Sequence, residues 1–239
     1  MMTKLAAALP ADMPARIAKL PRDHRGFPVP WFVAYFDEER GERCEPYPDF
    51  RVIDTPKIGR AVRERRCWVC GEPLGIHKAF VIGPMCAINR VISEPPSHRE
   101  CAEYAARACP FLARPRMRRN ETDLPGPVEQ AAGFVLKRNP GAVAVWITRT
   151  FKPFRPHAGN AGVLFQIGAP ETVLWFAHGR AATRAEVLAS IDSGYPSLLE
   201  LAQAEGGEAV AALERQRLAV MPLLPPQEVV AISISVDGR

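Results

Sequence analysis

The chain has 239 residues, 47% of them hydrophobic and 24% charged, with a net charge of +5. This length and composition suit one large domain or two small ones and exclude disorder as the default state. No apolar run reaches the roughly 18 residues that a membrane-spanning helix needs, so no membrane partner is expected.

At the N-terminus, Pro10 interrupts a short apolar patch before it reaches the length of a signal-peptide core. Residues 1–24 therefore read as a frayed or helical leader on a cytoplasmic protein. Residues 28–36 (PVPWFVAYF) and 50–54 (FRVID) are β-branched and aromatic and read as strands. The polar loop between them carries Cys44, expected as a free surface thiol. Thr55 and Pro56 open a short basic helix, KIGRAVRERR.

Five of the six cysteines then fall between Cys67 and Cys109. In a chain without an export signal, such grouping points to metal or redox chemistry before disulfides. CWVCG places Cys67 and Cys70 on a turn where Gly71 can supply a positive φ, as in a zinc knuckle. KAFVIG follows as a strand. In PPSHREC, Pro95 and Pro96 exclude helix, and Ser97 with Glu100 has the spacing of a capping box, so a helix is expected from about His98. His98 and Cys101 then share one face of its first turn, where the helix dipole favours thiolate. A knuckle followed by a ligand pair at a helix start is the plan of a treble-clef finger. The expected ligands are Cys67, Cys70, His98 and Cys101, around a structural Zn2+ with no open position for substrate.

Cys86 in GPMCAIN is the alternative ligand, in place of His98. Cys109 lies eight residues past Cys101, roughly 12 Å further along an intact helix, too far to share the ion. His77 reads as a surface residue. An iron–sulfur cluster is a competing use of these thiols, but it gives the helix-borne His-x-x-Cys pair no role. A thioredoxin-like pair would need a helix after CxxC, where Gly71, Pro73 and Gly75 stand instead.

Residues 57–119 hold thirteen basic side chains against five acidic ones, a net +8 that leaves −3 for the remainder. Such a concentration favours DNA or RNA as a partner; a solvated arginine-rich face is the competing reading. The cluster Arg114, Arg116, Arg118 and Arg119 is the candidate phosphate contact; it lies in the Pro- and Arg-rich stretch 113–127, whose end, residues 120–127, reads as a linker. The expected organisation is a leader (1–24), a zinc-binding unit with N-terminal strands (25–119), the linker, and an α+β domain (128–239).

In that last part, residues 128–141 suggest a short helix. Residues 142–149, 163–168 and 172–177 read as three strands, the second and third joined by a tight Gly-Ala-Pro turn. The loop FKPFRPHAGNAG mixes Phe151, Lys152, Phe154, Arg155 and His157, which suits either base stacking or aromatics folded back onto the sheet. Arg149 and Arg180 are candidates to line an anion site. Thr183 with Glu186, and Ser197 with Glu200, predict two capped helices, ending at Gly194 and at Gly206-Gly207. An amphipathic helix over 208–220 and a strand at 229–236 complete the chain.

The motifs CWVCG, GPMC and PPSHRECAEYAARACPF resemble those of a group of uncharacterised conserved proteins of bacteria and their phages. The resemblance covers mainly the central third of the chain. It implies a bacterial or phage source and carries no activity.

The fold expected is α+β: a treble-clef-like zinc-binding unit followed by a small antiparallel sheet with C-terminal helices. No Walker loop, GxGxxG, GxSxG or HExxH pattern is present. CxxC with Asn89 resembles metal-finger nucleases of the HNH type, but only His77 and Asn89 are available for that pattern and its strand-borne Asp-His is absent. The leading functional expectation is thus a zinc-stabilised binding protein of nucleic acid. The alternatives are a protein-interaction or assembly factor using the C-terminal helices, and a metal-dependent nuclease or thiol-dependent enzyme.

Overall fold

A computed structural model of the chain describes residues 12–37, 46–114, 117–118, 120–125, 139, 141–156 and 162–227. The expectations for Cys44, Arg116, Arg119, His157, the helix near 128–138 and the strand at 229–236 fall outside the described residues.

The fold is mixed α and β, with small antiparallel sheets and helices. Strands β1 (Val33–Asp37) and β2 (Pro46–Ile53) form a two-stranded ribbon, preceded by a single helical turn, α1 (Ala15–Ala18), and followed by α2 (Pro56–Arg63). A four-stranded sheet runs β3 (Lys78–Ile82), β5 (Val143–Thr148), β8 (Thr172–Ala177), β9 (Arg180–Ala181). A three-stranded sheet runs β4 (Val91–Ile92), β7 (Leu164–Ile167), β6 (Phe151–Phe154). Both larger sheets take strands from either side of residues 120–127: β3 pairs with β5 and β4 with β7.

The four-stranded sheet is covered on both faces, and side-chain alternation divides the core between them. Phe80, Ile82, Ala144, Trp146, Trp175 and Ala177 face α3 (Pro84–Asn89), α6 (Arg184–Glu205) and α7 (Gly207–Val220). Ala79, Val143, Val145 and Ile147 face α4 (Arg99–Ala108), which approaches through Ala102 and Ala106. With both faces covered, β5 is buried along its whole length, which is why it appears in sequence as an unbroken apolar run. Helix α4 is followed by the short α5 (Pro110–Ala113).

Three local expectations are corrected. The Gly168-Ala169-Pro170 segment is not a hairpin turn: β7 and β8 belong to different sheets. The crossing is fixed by side chains, with Trp146 Nε1 donating to the Gly168 carbonyl (3.0 Å) and Thr148 Oγ1 to that of Ala169 (2.8 Å). Part of the expected loop at 151–162 is instead strand β6, and Phe151 packs edge-on against Phe80 and Phe165. Finally, Gly194 does not end a helix. Helix α6 continues through it and through Pro196 for 22 residues. A Cβ on Gly194 would lie 3.0–3.3 Å from the Met85 side chain, so the glycine sets the approach of α6 to α3. Packing there outweighs the hydrogen bond lost at Pro196.

The capping box that opens α6 forms as expected. Glu186 N–H donates to Thr183 Oγ1 (3.2 Å) and Thr183 N–H to the Glu186 carboxylate (2.8 Å). Arg180 adds a two-pronged contact at 2.7 and 3.0 Å, and this guanidinium is the main reason the Glu186 carboxyl is held down to about 2, from an ordinary 4.5. A depressed carboxylate stabilises the fold fully above its unfolded pKa and loses that contribution as pH falls through the folded one. The stability difference between wild type and Glu186→Gln is therefore expected to be constant above pH ~5 and to shrink toward zero near pH 2. With Arg180 half exposed, its size is about 1 kcal/mol. Urea midpoints measured across that range check it, and a difference independent of pH would refute it.

Candidate metal centre

Cys67 and Cys70 lie on a tight turn whose arms are joined by an isolated bridge between Arg66 and Pro73. Within the turn, Cys67 N–H donates to the Glu72 carbonyl (2.8 Å) and Gly71 N–H to the Cys67 carbonyl (2.8 Å). Gly71 has φ +74°, and a Cβ there would stand 2.7 Å from the indole carbons of Trp31. The position needs glycine both for its backbone and for that contact.

The other two residues arrive on α4. The helix starts where the sequence indicates, but Ser97 does not cap it. Ser97 is extended and exchanges both backbone hydrogen bonds with Ala79 of β3 (2.9 and 2.7 Å), while His98 occupies the N-cap position. Glu100 does not reach back to close a box; it pairs with Arg16 at 3.0 Å. The histidine ring is thereby free to face the turn, and Cys101 follows in the first helical turn.

The thiols of Cys67, Cys70 and Cys101 and a ring nitrogen of His98 lie within 4.8 Å of one another, and all four residues are buried. Nδ1 of His98 stands 3.3 Å from Cys70 Sγ and 4.0 Å from Cys101 Sγ. Four donors held about 2.0–2.3 Å from one tetrahedral ion are roughly 3.5–3.8 Å apart, so these separations fit a single ion. The other ring nitrogen, Nε2, is 2.9 Å from the Pro73 carbonyl. A carbonyl can only accept, so Nε2 carries a hydrogen, and Nδ1, on the side of the sulfurs, is the nitrogen available to a metal ion. Cys67 Sγ accepts the backbone N–H groups of Cys70 (3.5 Å) and His98 (3.3 Å).

Electrostatics favour a cation at this point. Burial pushes the Cys67 thiol up, but hydrogen bonds from Cys101, Cys70 and His98 outweigh it and favour the thiolate. Among the neighbours of Cys70, hydrogen bonding to Cys101 acts downward, yet the Cys67 sulfur and burial prevail and push it up to about 11. Cys101 is raised by its contact with the Cys67 sulfur. Three crowded sulfurs disfavour one another's ionisation, whereas a divalent cation would let all three be thiolates. The cluster is compatible with a structural metal ion.

A supporting layer surrounds it. Arg16 of α1 contacts both Glu72, on the turn, and Glu100, on α4. Ile17 of the same turn of helix is buried with Cys67, Cys70, Cys101 and Tyr104. Part of the segment read as a leader therefore packs against the centre. Arg16 and Trp31 carry no motif that would mark them in the sequence; Gly71, expected there only to supply a positive φ, is also where the Trp31 ring closes on the turn.

The remaining candidates lie elsewhere. Cys86 is on α3, packed against the main core, and burial pushes its thiol up to about 11. It does not join the group of four. Cys109 forms the junction of α4 and α5. His77 is exposed and 2.7 Å from Glu171, which also pairs with Arg149 (2.6 Å). The Asn89 side chain accepts from Val91 N–H. The proposed anion site between Arg149 and Arg180 is not supported, because each faces a carboxylate, Glu171 and Glu186 respectively. Arg114 and Arg118 are exposed. Among the described residues, no helix is long and apolar enough to cross a membrane.

No protein-family model, curated protein or solved structure matches this chain.

Proposed function

We propose that the chain is a zinc-stabilised binding protein with a treble-clef-like centre and that its partner is nucleic acid. The observation that carries the metal reading is the convergence of four buried donors, Cys67, Cys70, His98 and Cys101, within 4.8 Å. Three thiolates and one imidazole are a soft donor set suited to zinc, and four protein ligands close the coordination shell. The ion's role is then structural: it ties the turn at 67–70 to the start of α4. The treble-clef description is supported by the order of parts, a knuckle, a strand, and a ligand pair at a helix start. The nucleic-acid reading is supported by the net +8 of residues 57–119.

Elemental analysis by inductively coupled plasma mass spectrometry tests the metal. One zinc per chain is expected, lost in Cys70→Ser and retained in Cys86→Ser. Iron accompanied by sulfide, or zinc that survives Cys70→Ser, would overturn the assignment.

A further inference from the structure

We propose that α2 and the turn that follows it form a docking surface for the phosphate backbone of double-stranded DNA. This deepens the nucleic-acid reading above, rests on it, and moves the contact from the Arg114–Arg119 cluster to a different face. Residues 57–66 hold five cations, Lys57, Arg60, Arg63, Arg65 and Arg66, against the single acid Glu64. Lys57 and Arg66 are the two less exposed, and their side chains are bonded into the protein. Lys57 pairs with Asp54 at 2.9 Å and donates to the Val33 carbonyl, and Arg66 donates to the Gly71 carbonyl at 2.9 Å. The other three, Arg60, Arg63 and Arg65, are exposed. Glu64 is shared between Arg60 and Arg66, and among the described residues no carboxylate pairs with Arg63 or Arg65.

The scaffold beneath these arginines is fixed. The bond from Arg66 to Gly71 ties the end of α2 to the turn bearing Cys67 and Cys70. The guanidinium of Arg60 and the ammonium of Lys57 lie over the Trp31 ring, 5.9 and 5.7 Å from its centre. Trp31 also packs on Gly71 and edge-on against Trp68. Its ring is committed to protein contacts and offers no platform for a base. What the surface presents is positive charge on a fixed scaffold whose central ring is already engaged, which suits phosphates and not base identity. Duplex DNA, with one charge per about 1.7 Å of axis, is the complementary occupant.

The test is the salt dependence of binding. The zinc-loaded full chain is titrated onto a short fluorescein-labelled DNA duplex, and onto duplex RNA and single-stranded DNA of the same length, across a series of salt concentrations. For the triple variant Arg60→Gln, Arg63→Gln, Arg65→Gln, the slope of log affinity against log salt is expected to fall by about 2–3, and duplex affinity at low salt by about 10- to 100-fold. Replacing the same three by lysine should restore the slope. Zinc content and circular dichroism equal to wild type establish that the variants are folded. Duplex binding with an unchanged slope in the triple variant would refute this surface while leaving the nucleic-acid reading intact. Absence of binding to all three nucleic acids by the wild type would overturn both, and preference for RNA or for the single strand would overturn the assignment to duplex DNA.

Discussion

Cys67→Ser is expected to abolish metal retention and to cost the protein most of its stability. The residue combines two roles. It is one of the four clustered donors, and its sulfur also accepts the backbone N–H groups of Cys70 and His98, which hold the turn against the start of α4. A serine oxygen is a shorter, harder and far less acidic donor. Binding of structural zinc supplies on the order of 10–16 kcal/mol in small fingers, comparable to the 5–15 kcal/mol of net stability typical of a folded chain. Even a partial loss of about 5 kcal/mol would lower the melting temperature by roughly 10–20 °C for a chain of this size. Thermal melts followed by circular dichroism, with metal content measured on the same samples, decide the matter. Cys109→Ser is the control, since that thiol lies outside the cluster, and it should keep the metal. A Cys67→Ser protein that retains zinc and melts within a few degrees of wild type would refute the centre.

Trp146→Ala should be the next most damaging change, by a route that leaves the metal in place. Trp146 is fully buried on β5, its indole N–H donates to the Gly168 carbonyl, and Arg90 lies over its ring at 4.5 Å. Removing it empties the face of the sheet that α3, α6 and α7 cover, at about 3–5 kcal/mol. It also releases the segment that crosses from β7 to β8. The expected fall in melting temperature is roughly 6–20 °C, with zinc content unchanged, and Trp146→Phe should recover part of it. A loss below about 1 kcal/mol in urea titration would mean that Trp146 is not at the centre of the core. Because the two substitutions act on opposite sides of α4, only the first should affect metal content.

The donor cluster was legible in the sequence because coordination is local chemistry. Two thiols three residues apart before a glycine, and His-x-x-Cys at a helix start, each specify half of a site, and residues 67–70 and 98–101 are brought together as those halves suggest. The detail at Ser97 was not legible. A serine three residues before a glutamate looks like a cap, but here pairing with Ala79 takes its backbone into an extended path and leaves the cap position to His98. Strands β5 and β8 stood out by apolar content. Strand β6 was hidden by Pro153, which the edge of a sheet tolerates. The sheet order was beyond local reasoning, because β7 and β8, close neighbours in sequence, enter different sheets. Local signals divide helix α6 between a stop at Gly194 and a cap at Ser197, while the contact of Gly194 with Met85 that keeps it continuous lies 109 positions away in the chain.

The pairing of β3 with β5 also bears on how the chain acquires its structure during synthesis. β3 ends at Ile82, and its neighbour does not begin until Val143. At about 5–20 residues per second, the apolar strand must wait roughly 3–12 s for its partner to be translated. The donor cluster is complete much sooner, once Cys101 has emerged, and Ser97 already engages one edge of β3 through Ala79. Ion capture would then come before sheet assembly, holding Phe80 and its neighbours near their final path until the C-terminal half arrives. A nascent chain deprived of zinc would expose that strand to other ribosome-bound copies for the whole interval.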